Sequence, residues 1–232
     1  MAVERGRVRA VVQQPGGVVV DGEPAGYVVV ADGLHSPLRR ALGLEARAPG
    51  PVRYGLRRHV RLAPWTDHVE VHWAAHSEAY VTPVADDEVG IAVLTSRRGP
   101  YDDQLGDFPE LLARVAGAAP ASAVRGAGPL RQESRRRVAG RAVLVGDASG
   151  YVDALTGEGI SLALAQAQAA VGHIVSGDVP GYERTWRRIV RRHRVLTRAL
   201  LAVGGSPARP LLVPAAERLP RVFAAAVDAV GG

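Results

Sequence analysis

The chain has 232 residues, 47% of them apolar, a formal net charge of +6 and no cysteine. The lack of cysteine excludes disulfides, thiolate metal sites and a cysteine nucleophile, and it is typical of a reducing compartment. All 29 residues counted as lysine or arginine are arginines, which also excludes a phosphate-loop lysine and a Schiff-base lysine within this chain.

The positive charge is compatible with nucleic acid, an anionic membrane surface, an anionic cofactor or no charged partner. No apolar run reaches the ~18 residues of a membrane span. The first ten residues, MAVERGRVRA, also lack the apolar core of a signal peptide. We therefore expect a cytoplasmic protein without a membrane span.

The N-terminal part is predicted to be β structure. Segments 7–13 and 18–20 flank Pro15-Gly16-Gly17, which is a hairpin turn signal. The apolar run 27–31 is typical of a strand buried on both faces, and it ends at Asp32-Gly33. A serine followed by proline then predicts the start of a short helix.

The middle of the chain is predicted to be mainly β. A break at Pro49-Gly50-Pro51 marks a boundary. Apolar and polar residues alternate at Val69, Val71 and Trp73, a period typical of a strand. Two further strands, 80–84 and 89–95, are joined by a polar turn as neighbouring antiparallel strands. Asp107-Phe108-Pro109-Glu110 resembles a capping box and predicts a helix to about residue 116.

Three histidines in the middle segment raise the question of a metal site. His68, His72 and His76 are four residues apart, which on a helix would place them on one face. The alternation indicates a strand, in which successive members lie ~13 Å apart at a rise of ~3.3 Å per residue. Histidines so far apart cannot share an ion, so we expect no metal.

The C-terminal part is predicted to contain one buried strand and two helices. The strand covers 141–145, and the helices cover about 159–174 and 180–203. The second helix has an apolar stripe opposite a face rich in arginine. Because no exposed aromatic residues accompany these arginines, we interpret the face as solvated and expect no nucleic-acid partner.

The strongest chemical signal follows the C-terminal buried strand. Gly146-Asp147 lies at the carboxyl end of this strand, where α/β sheets bind ligands. Gly157 and Gly159 stand where the next helix begins, and its free N–H groups would stabilise an anion there. Reduced flavin carries such a negative charge, so a helix end of this kind would tune its electronics.

The segment G-D-A-S-G, a short spacer and G-E-G resembles the second FAD fingerprint of flavoprotein hydroxylases, closest to the geranylgeranyl-reductase branch. The resemblance implies that Asp147 hydrogen-bonds the ribityl chain of FAD. It also implies that four residues face the pyrimidine edge of the flavin: Gly157, Glu158, Gly159 and Ile160. Ala154 departs from the family, which usually has proline there, but this removes no ligand group.

A second motif, A-D-G-L-H-S-P-L-R, covers residues 31–39. It is similar to the A-D-G-x-x-S-x-x-R motif of para-hydroxybenzoate-hydroxylase-like enzymes. The resemblance implies that Asp32 and Gly33 lie near the FAD pyrophosphate and support reaction with a pyridine nucleotide. An Asp-Gly turn alone is more often structural. Here it precedes Gly146-Asp147 by about a hundred residues, which is the order expected of the family.

A third segment, Tyr80-Val81-Thr82-Pro83, resembles a strand of the family's substrate domain that is rich in aromatic residues and ends in proline. The resemblance implies that Tyr80 and Thr82 contact substrate. Thr82 stands where an aromatic residue is expected, which argues against a long isoprenoid substrate. A plain β-hairpin without any substrate role is an equally good interpretation.

The family's opening G-x-G-x-x-G, which holds the FAD pyrophosphate, is absent. Gly126-Ala127-Gly128 lies late in the chain and does not match. We therefore expect an N-terminally truncated member of the family. Without the missing half, the strands ending at Asp32 and Asp147 lack a neighbour, and we expect weak FAD binding and self-association.

These motifs predict an α/β protein. A partial, Rossmann-like FAD-binding domain comprises residues 1–48 and 132–178, with an inserted β-rich substrate domain at 49–131 and a C-terminal helical region at 179–232. The resemblance implies FAD as cofactor, NAD(P)H as reductant and a small-molecule substrate. The reaction is either oxygen-dependent hydroxylation or reduction of a carbon double bond. The alternative is a non-enzymatic remnant or a basic binding module.

Overall fold

The computed structural model describes residues 3–155, 157–204 and 218. The chain divides into two compact units. The split unit is formed by Met1–Ala48 together with Gln132–Gly232, and the inserted unit by Pro49–Arg131. Both strands and helices are present, which confirms the predicted α/β class. The C-terminal segment 207–230, for which the sequence predicts helical pieces, lies outside the described residues except for residue 218.

The described strands all lie before residue 145, and the two long helices follow them. The strands are β1 (Val11–Gln14), β2 (Gly17–Val20), β3 (Glu23–Ala25), β4 (Val28–Val30), β5 (Glu45–Ala46), β6 (Tyr54–Arg61), β7 (Glu70–Trp73), β8 (Ser77–Ala85), β9 (Glu88–Thr95), β10 (Ala119–Pro120), β11 (Arg125–Ala127), β12 (Glu133–Ser134), β13 (Val138–Ala139) and β14 (Ala142–Leu144). The α-helices are α1 (Pro37–Ala41), α2 (Tyr101–Leu105), α3 (Pro109–Arg114), α4 (Gly159–Val175) and α5 (Tyr182–Gly204).

A small sheet in the order β13-β14-β4 forms the centre of the split unit. β14 is fully buried and runs parallel to β4, with Val143 opposite Val29. Val30 is buried, but Val29 is 40% exposed. The prediction that both faces of this strand are buried is therefore wrong, because β4 is an edge strand that is covered on one face. The predicted hairpin around Gly16 is confirmed by the pairing of β1 with β2.

Helices α4 and α5 pack on β14 and complete the core of the split unit. Tyr182 and Trp186 of α5 are buried in one cluster with Val143 and Ala170. The Tyr182 hydroxyl donates a hydrogen bond of 3.1 Å to the carbonyl of Leu144. The arginines on the opposite face of α5 are exposed, as predicted for a solvated face: Arg184, Arg187, Arg188, Arg191, Arg192 and Arg198.

A six-stranded antiparallel sheet forms the inserted unit. Its order is β10-β6-β9-β8-β7, with β11 also pairing β6. Helices α2 and α3 cover one face of this sheet, where Ile91 and Val93 pack against Phe108 and Leu111. The predicted hairpin of neighbouring strands is confirmed as β8 and β9.

The predicted capping box at the start of α3 is wrong. Phe108 occupies the N-cap position, and no side chain caps the helix. The Asp107 carboxylate instead accepts a hydrogen bond of 2.7 Å from the Ser77 hydroxyl and forms an ion pair with Arg97. The Ser77 hydrogen bond is the main cause that lowers the pKa of Asp107; burial opposes it, and Arg97 adds to the lowering. The carboxylate therefore bonds to Ser77 and Arg97 instead of capping the helix.

A buried ion pair joins α5 to the segment before β13, and it predicts an acid-dependent loss of stability. The Glu183 carboxylate accepts a hydrogen bond of 2.9 Å from the Arg137 backbone N–H and pairs with its guanidinium. Burial alone would raise the pKa of Glu183, but the bonds and charge of Arg137 outweigh it and lower the pKa. The carboxylate therefore stabilises the fold fully above its ordinary pKa of 4.5, and this contribution is lost as pH falls through the lowered value.

Glu183→Gln should remove this contribution, costing about 1–3 kcal/mol at pH 7 because the Arg137 guanidinium loses its charged partner. The difference in unfolding free energy from the parent should shrink as pH falls from 7 to 3, measured by urea titration. Glu110→Gln, at an exposed position of α3, serves as control. A pH-independent difference between parent and Glu183→Gln would contradict the assignment.

Candidate functional site

The end of β14 turns sharply at Gly146 and presents Asp147. Residues Gly146–Ser149 form one turn of 3-10 helix. Gly146 has a φ of 57°, and a Cβ there would lie 3.3 Å from the Cβ of Ala163 on α4. Glycine is needed because the backbone is left-handed at a point where a helix packs closely. The turn is held by Ser149, whose hydroxyl donates to the Gly146 carbonyl at 2.7 Å.

The Asp147 side chain is partly exposed at this turn. Among the described residues, none donates a hydrogen bond to either oxygen. Partial burial raises the pKa of Asp147, and its charge helps, after burial, to raise the pKa of Tyr151. Because Asp147 is only partly buried, its carboxylate can accept hydrogen bonds from a bound ligand.

The N-terminus of α4 lies beside this turn. Gly159 and Asp147 line the same small cavity. Glu158 is the N-cap residue, but no side chain caps the helix, so its first N–H groups are available to an anion. Gly157 has a φ of 72° with nothing within 4 Å of where a Cβ would stand, and Ile160 is 78% exposed. Thr156, part of the same motif, lies outside the described residues.

The Glu158 side chain is held by α5 rather than by its own helix. Its carboxylate lies 2.8 Å from Nδ1 of His193, which is 8% exposed. Arg194 lines the same cavity and stacks over the Trp186 ring, with 5.6 Å between the guanidinium carbon and the ring centroid. The sequence motifs indicate no role for His193 or Arg194. A histidine within the otherwise apolar stripe of α5 is a signal that points to this site.

The cavity between the turn, α4 and α5 encloses about 30 Å³. That volume holds about two water molecules. Asp147 and Gly159 are partly exposed and Gly157 is exposed, so a flavin could approach them from the solvent side. The partly exposed carboxylate and the uncapped helix end both fit such a ligand.

The second motif forms a compact turn at the end of β4. Asp32 accepts a hydrogen bond of 3.1 Å from the Leu38 N–H, and Ser36 caps α1 by accepting from the Arg39 N–H at 2.8 Å. Gly33 has a φ of 85° and open space at its Cβ position. The predicted N-cap of α1 is therefore confirmed, and one oxygen of Asp32 is engaged in supporting this helix.

Arg39 connects the two motifs. Its side chain is 0% exposed. The guanidinium donates to the carbonyls of Ala148 at 3.2 Å and Leu34 at 3.1 Å, and to the Gln132 side-chain oxygen at 2.9 Å. The structure thus brings the motif at residues 31–39 against the turn that carries Asp147. Sequence reasoning included Arg39 in the motif without finding this role.

The two predicted substrate residues belong to the inserted unit. Tyr80 and Thr82 lie on β8, on the sheet face opposite α2 and α3, and both are half-buried. Within the described ranges 3–155 and 157–204, no three histidine or acidic side chains are grouped closely enough to hold a metal ion. No helix in those ranges is both long and apolar enough to cross a membrane.

The chain resembles known proteins over part of their length. No family model matches the chain. It is 25% identical over 205 residues to a menaquinone reductase of Mycolicibacterium smegmatis, covering 81% of this chain and 49% of that protein. The chain thus spans about half the length of the curated relative that it matches.

Solved structures share the fold at low identity. A flavin-dependent brominase has a TM-score of 0.75 at 16% identity, covering 97% of this chain and 64% of its own. A probable FAD-dependent monooxygenase from Pseudomonas aeruginosa has a TM-score of 0.64 at 20% identity, covering 88% and 65%. A halogenase crystallised with phloroglucinol and FAD has a TM-score of 0.70 at 17% identity, covering 86% and 49%.

Over the part that it covers, the chain shares its fold with flavin-dependent enzymes. The narrower resemblance to geranylgeranyl reductases is not shown by these comparisons and stays a prediction.

Proposed function

We propose that this chain supplies the flavin-binding part of an FAD-dependent oxidoreductase, with residues 1–48 and 132–178 in the FAD-binding domain. The observation that carries the proposal is the partly exposed Asp147 carboxylate, to which no described residue donates a hydrogen bond, beside the uncapped N-terminus of α4. Such a pair offers an acceptor for ribityl hydroxyls and N–H donors for an anionic ring edge. The fold shared with FAD-dependent enzymes supports the same interpretation.

When bound, FAD would supply the redox chemistry itself. Asp147 would accept hydrogen bonds from ribityl hydroxyls and so orient the cofactor. The backbone N–H groups from Gly157 to Ile160 would stabilise negative charge at the pyrimidine edge. Glu158 would stay in place through His193, which keeps the helix end open toward solvent.

The reaction and the reductant are further parts of the proposal. NAD(P)H would reduce the cofactor, and a small organic molecule would be either hydroxylated or reduced at a carbon double bond. Tyr80 and Thr82 of the inserted unit, residues 49–131, would contact that substrate.

A further polypeptide segment would complete the split unit. Val29 on the edge strand β4 is exposed, and α4 exposes an apolar stripe of Ile160, Leu164, Val171 and Val175. An open strand edge and an exposed apolar helix face invite pairing with another element. We propose that a nucleotide-binding segment covers them and anchors the FAD diphosphate; self-association is the alternative occupant.

Flavin titration of the chain tests the proposal. If the ribityl and ring contacts are present while the diphosphate anchor is not, FAD and riboflavin should bind about equally and weakly, with Kd values on the order of 0.1–1 mM. The measurement is quenching of flavin fluorescence, with adenosine diphosphate as competitor. We expect no displacement by adenosine diphosphate.

Two results would overturn these statements separately. Absence of flavin quenching up to about 1 mM, a concentration at the weak end of the expected Kd range, would refute flavin binding and favour a non-enzymatic remnant. Copurification with stoichiometric FAD would instead refute the need for a further segment.

A further inference from the structure

One face of the sheet in the inserted unit is not covered by α2 and α3. Strand register places Arg57, Ala92, Tyr80 and Val71 opposite one another in a single row across β6, β9, β8 and β7. Since directly opposed residues point to the same side of a sheet, these four side chains share one face. Ile91, the neighbour of Ala92, belongs to the covered face. We call the uncovered side the open face.

The β7 half of the open face is apolar. Val71 is 40% exposed and Trp73 is 36% exposed, and Tyr80 beside them is half-buried. The prediction that this segment is a strand is correct, but its apolar residues point away from the helix-covered core. In the row of Val71 and Tyr80, β9 contributes the small side chain of Ala92; in the row of Trp73, Glu78 and Leu94 are buried. Exposed apolar surface of this kind is typical of ligand-binding surfaces.

The β6 half of the open face carries two arginines that lie opposite each other, and Glu88 on the same face pairs with His59 and Arg61. Arg57 on β6 lies directly opposite Arg125 on β11, and both are exposed. Like charges in this position destabilise a sheet. In the part of the chain that the structure describes, neither guanidinium forms an ion pair with a carboxylate; Arg57 instead approaches Nε2 of His59 at 3.2 Å. The neighbouring Arg58, by contrast, pairs with Asp102 at 2.9 Å.

We propose that the open face binds an amphipathic organic anion. Its apolar body would lie on Ala92 and against Tyr80 and Val71, and its acidic group would reach Arg57 and Arg125. Charge complementarity selects the anion, because an acidic group relieves the repulsion between two guanidinium groups and can accept bidentate hydrogen bonds. The role of this surface in holding substrate rests on the proposed flavin function, whereas anion binding itself can be measured without flavin.

The test compares 2-naphthoate with 2-naphthylmethanol, which shares its ring system but has no charge. Binding to the whole chain is followed by amide chemical shifts in NMR spectra. We expect naphthoate to bind about fivefold more tightly than the alcohol, with the shifts centred on β7, β8 and β9. The double variant Arg57→Gln/Arg125→Gln should abolish this preference. Val71→Ser should weaken both ligands equally.

Arg114→Gln is the matched control, because Arg114 is an exposed arginine on α3, at the covered face. It should leave the fivefold preference intact. The double variant removes a like-charge pair and should melt at or slightly above the parent's melting temperature, which verifies its fold. Equal binding of the two ligands by the parent, or a preference that survives in the double variant, would overturn the inference. Failure of flavin binding with the preference intact would overturn only the proposed function.

Discussion

Replacing Arg39 with methionine is expected to destabilise the split unit by about 3–5 kcal/mol, the largest effect anticipated for any single substitution in this chain. Methionine has a similar length but offers no donors. The carbonyls of Leu34 and Ala148 and the Gln132 side chain would lose a partner at once. Each unsatisfied buried acceptor costs about 1–3 kcal/mol. Urea unfolding at pH 7 measures the effect.

Arg40 provides the control for this prediction. It is adjacent in α1 and bonds Glu45 at 3.1 Å, but its side chain is 60% exposed. Arg40→Met should therefore cost less than about 1 kcal/mol. Arg39→Lys keeps the charge but lacks the planar fork, and it should recover only part of the loss. Equal destabilisation by Arg39→Met and Arg40→Met would show that the buried network does not hold the turn.

Replacing Asp147 with asparagine should have opposite effects on stability and on cofactor binding. Burial raises the pKa of Asp147, so the charged form is disfavoured in the folded chain. For this group, native stability is lower above the raised pKa and increases as pH falls through it toward the unfolded value. The neutral amide of asparagine would not carry this cost, so the ligand-free Asp147→Asn variant should be more stable than the parent at pH 7.

The same change should weaken flavin binding by about 1.5–3 kcal/mol, which is about 10- to 100-fold in Kd, because a charged acceptor is lost. Circular dichroism should be unchanged. Thermal melting at pH 5 and pH 8 and flavin titration at pH 7 measure both effects. Asp103→Asn, exposed on α2 of the inserted unit, should change neither. If flavin affinity survives in Asp147→Asn, Asp147 does not hold the ribityl chain.

The elements with strong local signals were predictable from the sequence. The turn at Gly16, the N-cap at Ser36 and the start of α4 at Gly159 all agree with the structure. Each depends on residues within a few positions of one another, and turn and cap preferences act over that range. The roles of Asp32 and Asp147 in binding a cofactor remain proposals.

Other features depend on contacts between distant parts of the chain. The Asp107 carboxylate does not cap α3 as predicted but accepts a hydrogen bond from Ser77, thirty residues earlier. Val29 is exposed because β4 is an edge strand. Neither feature can be predicted from the residues nearby in sequence. The hydrogen-bond partner of Asp107 and the position of β4 at the edge of its sheet both depend on how the distant strands assemble.

The sequence by itself determined the α/β class, the hairpins and the order of the two motifs at residues 31–39 and 146–160, since periodicity and glycine placement are local properties. Only the tertiary structure decided which groups meet. Arg39 reaches the carbonyl of Ala148, 109 residues away, and Arg57 lies opposite Arg125. The physical reason is that burial and strand register are set by packing of the whole unit, which brings together residues with no signal linking them along the chain.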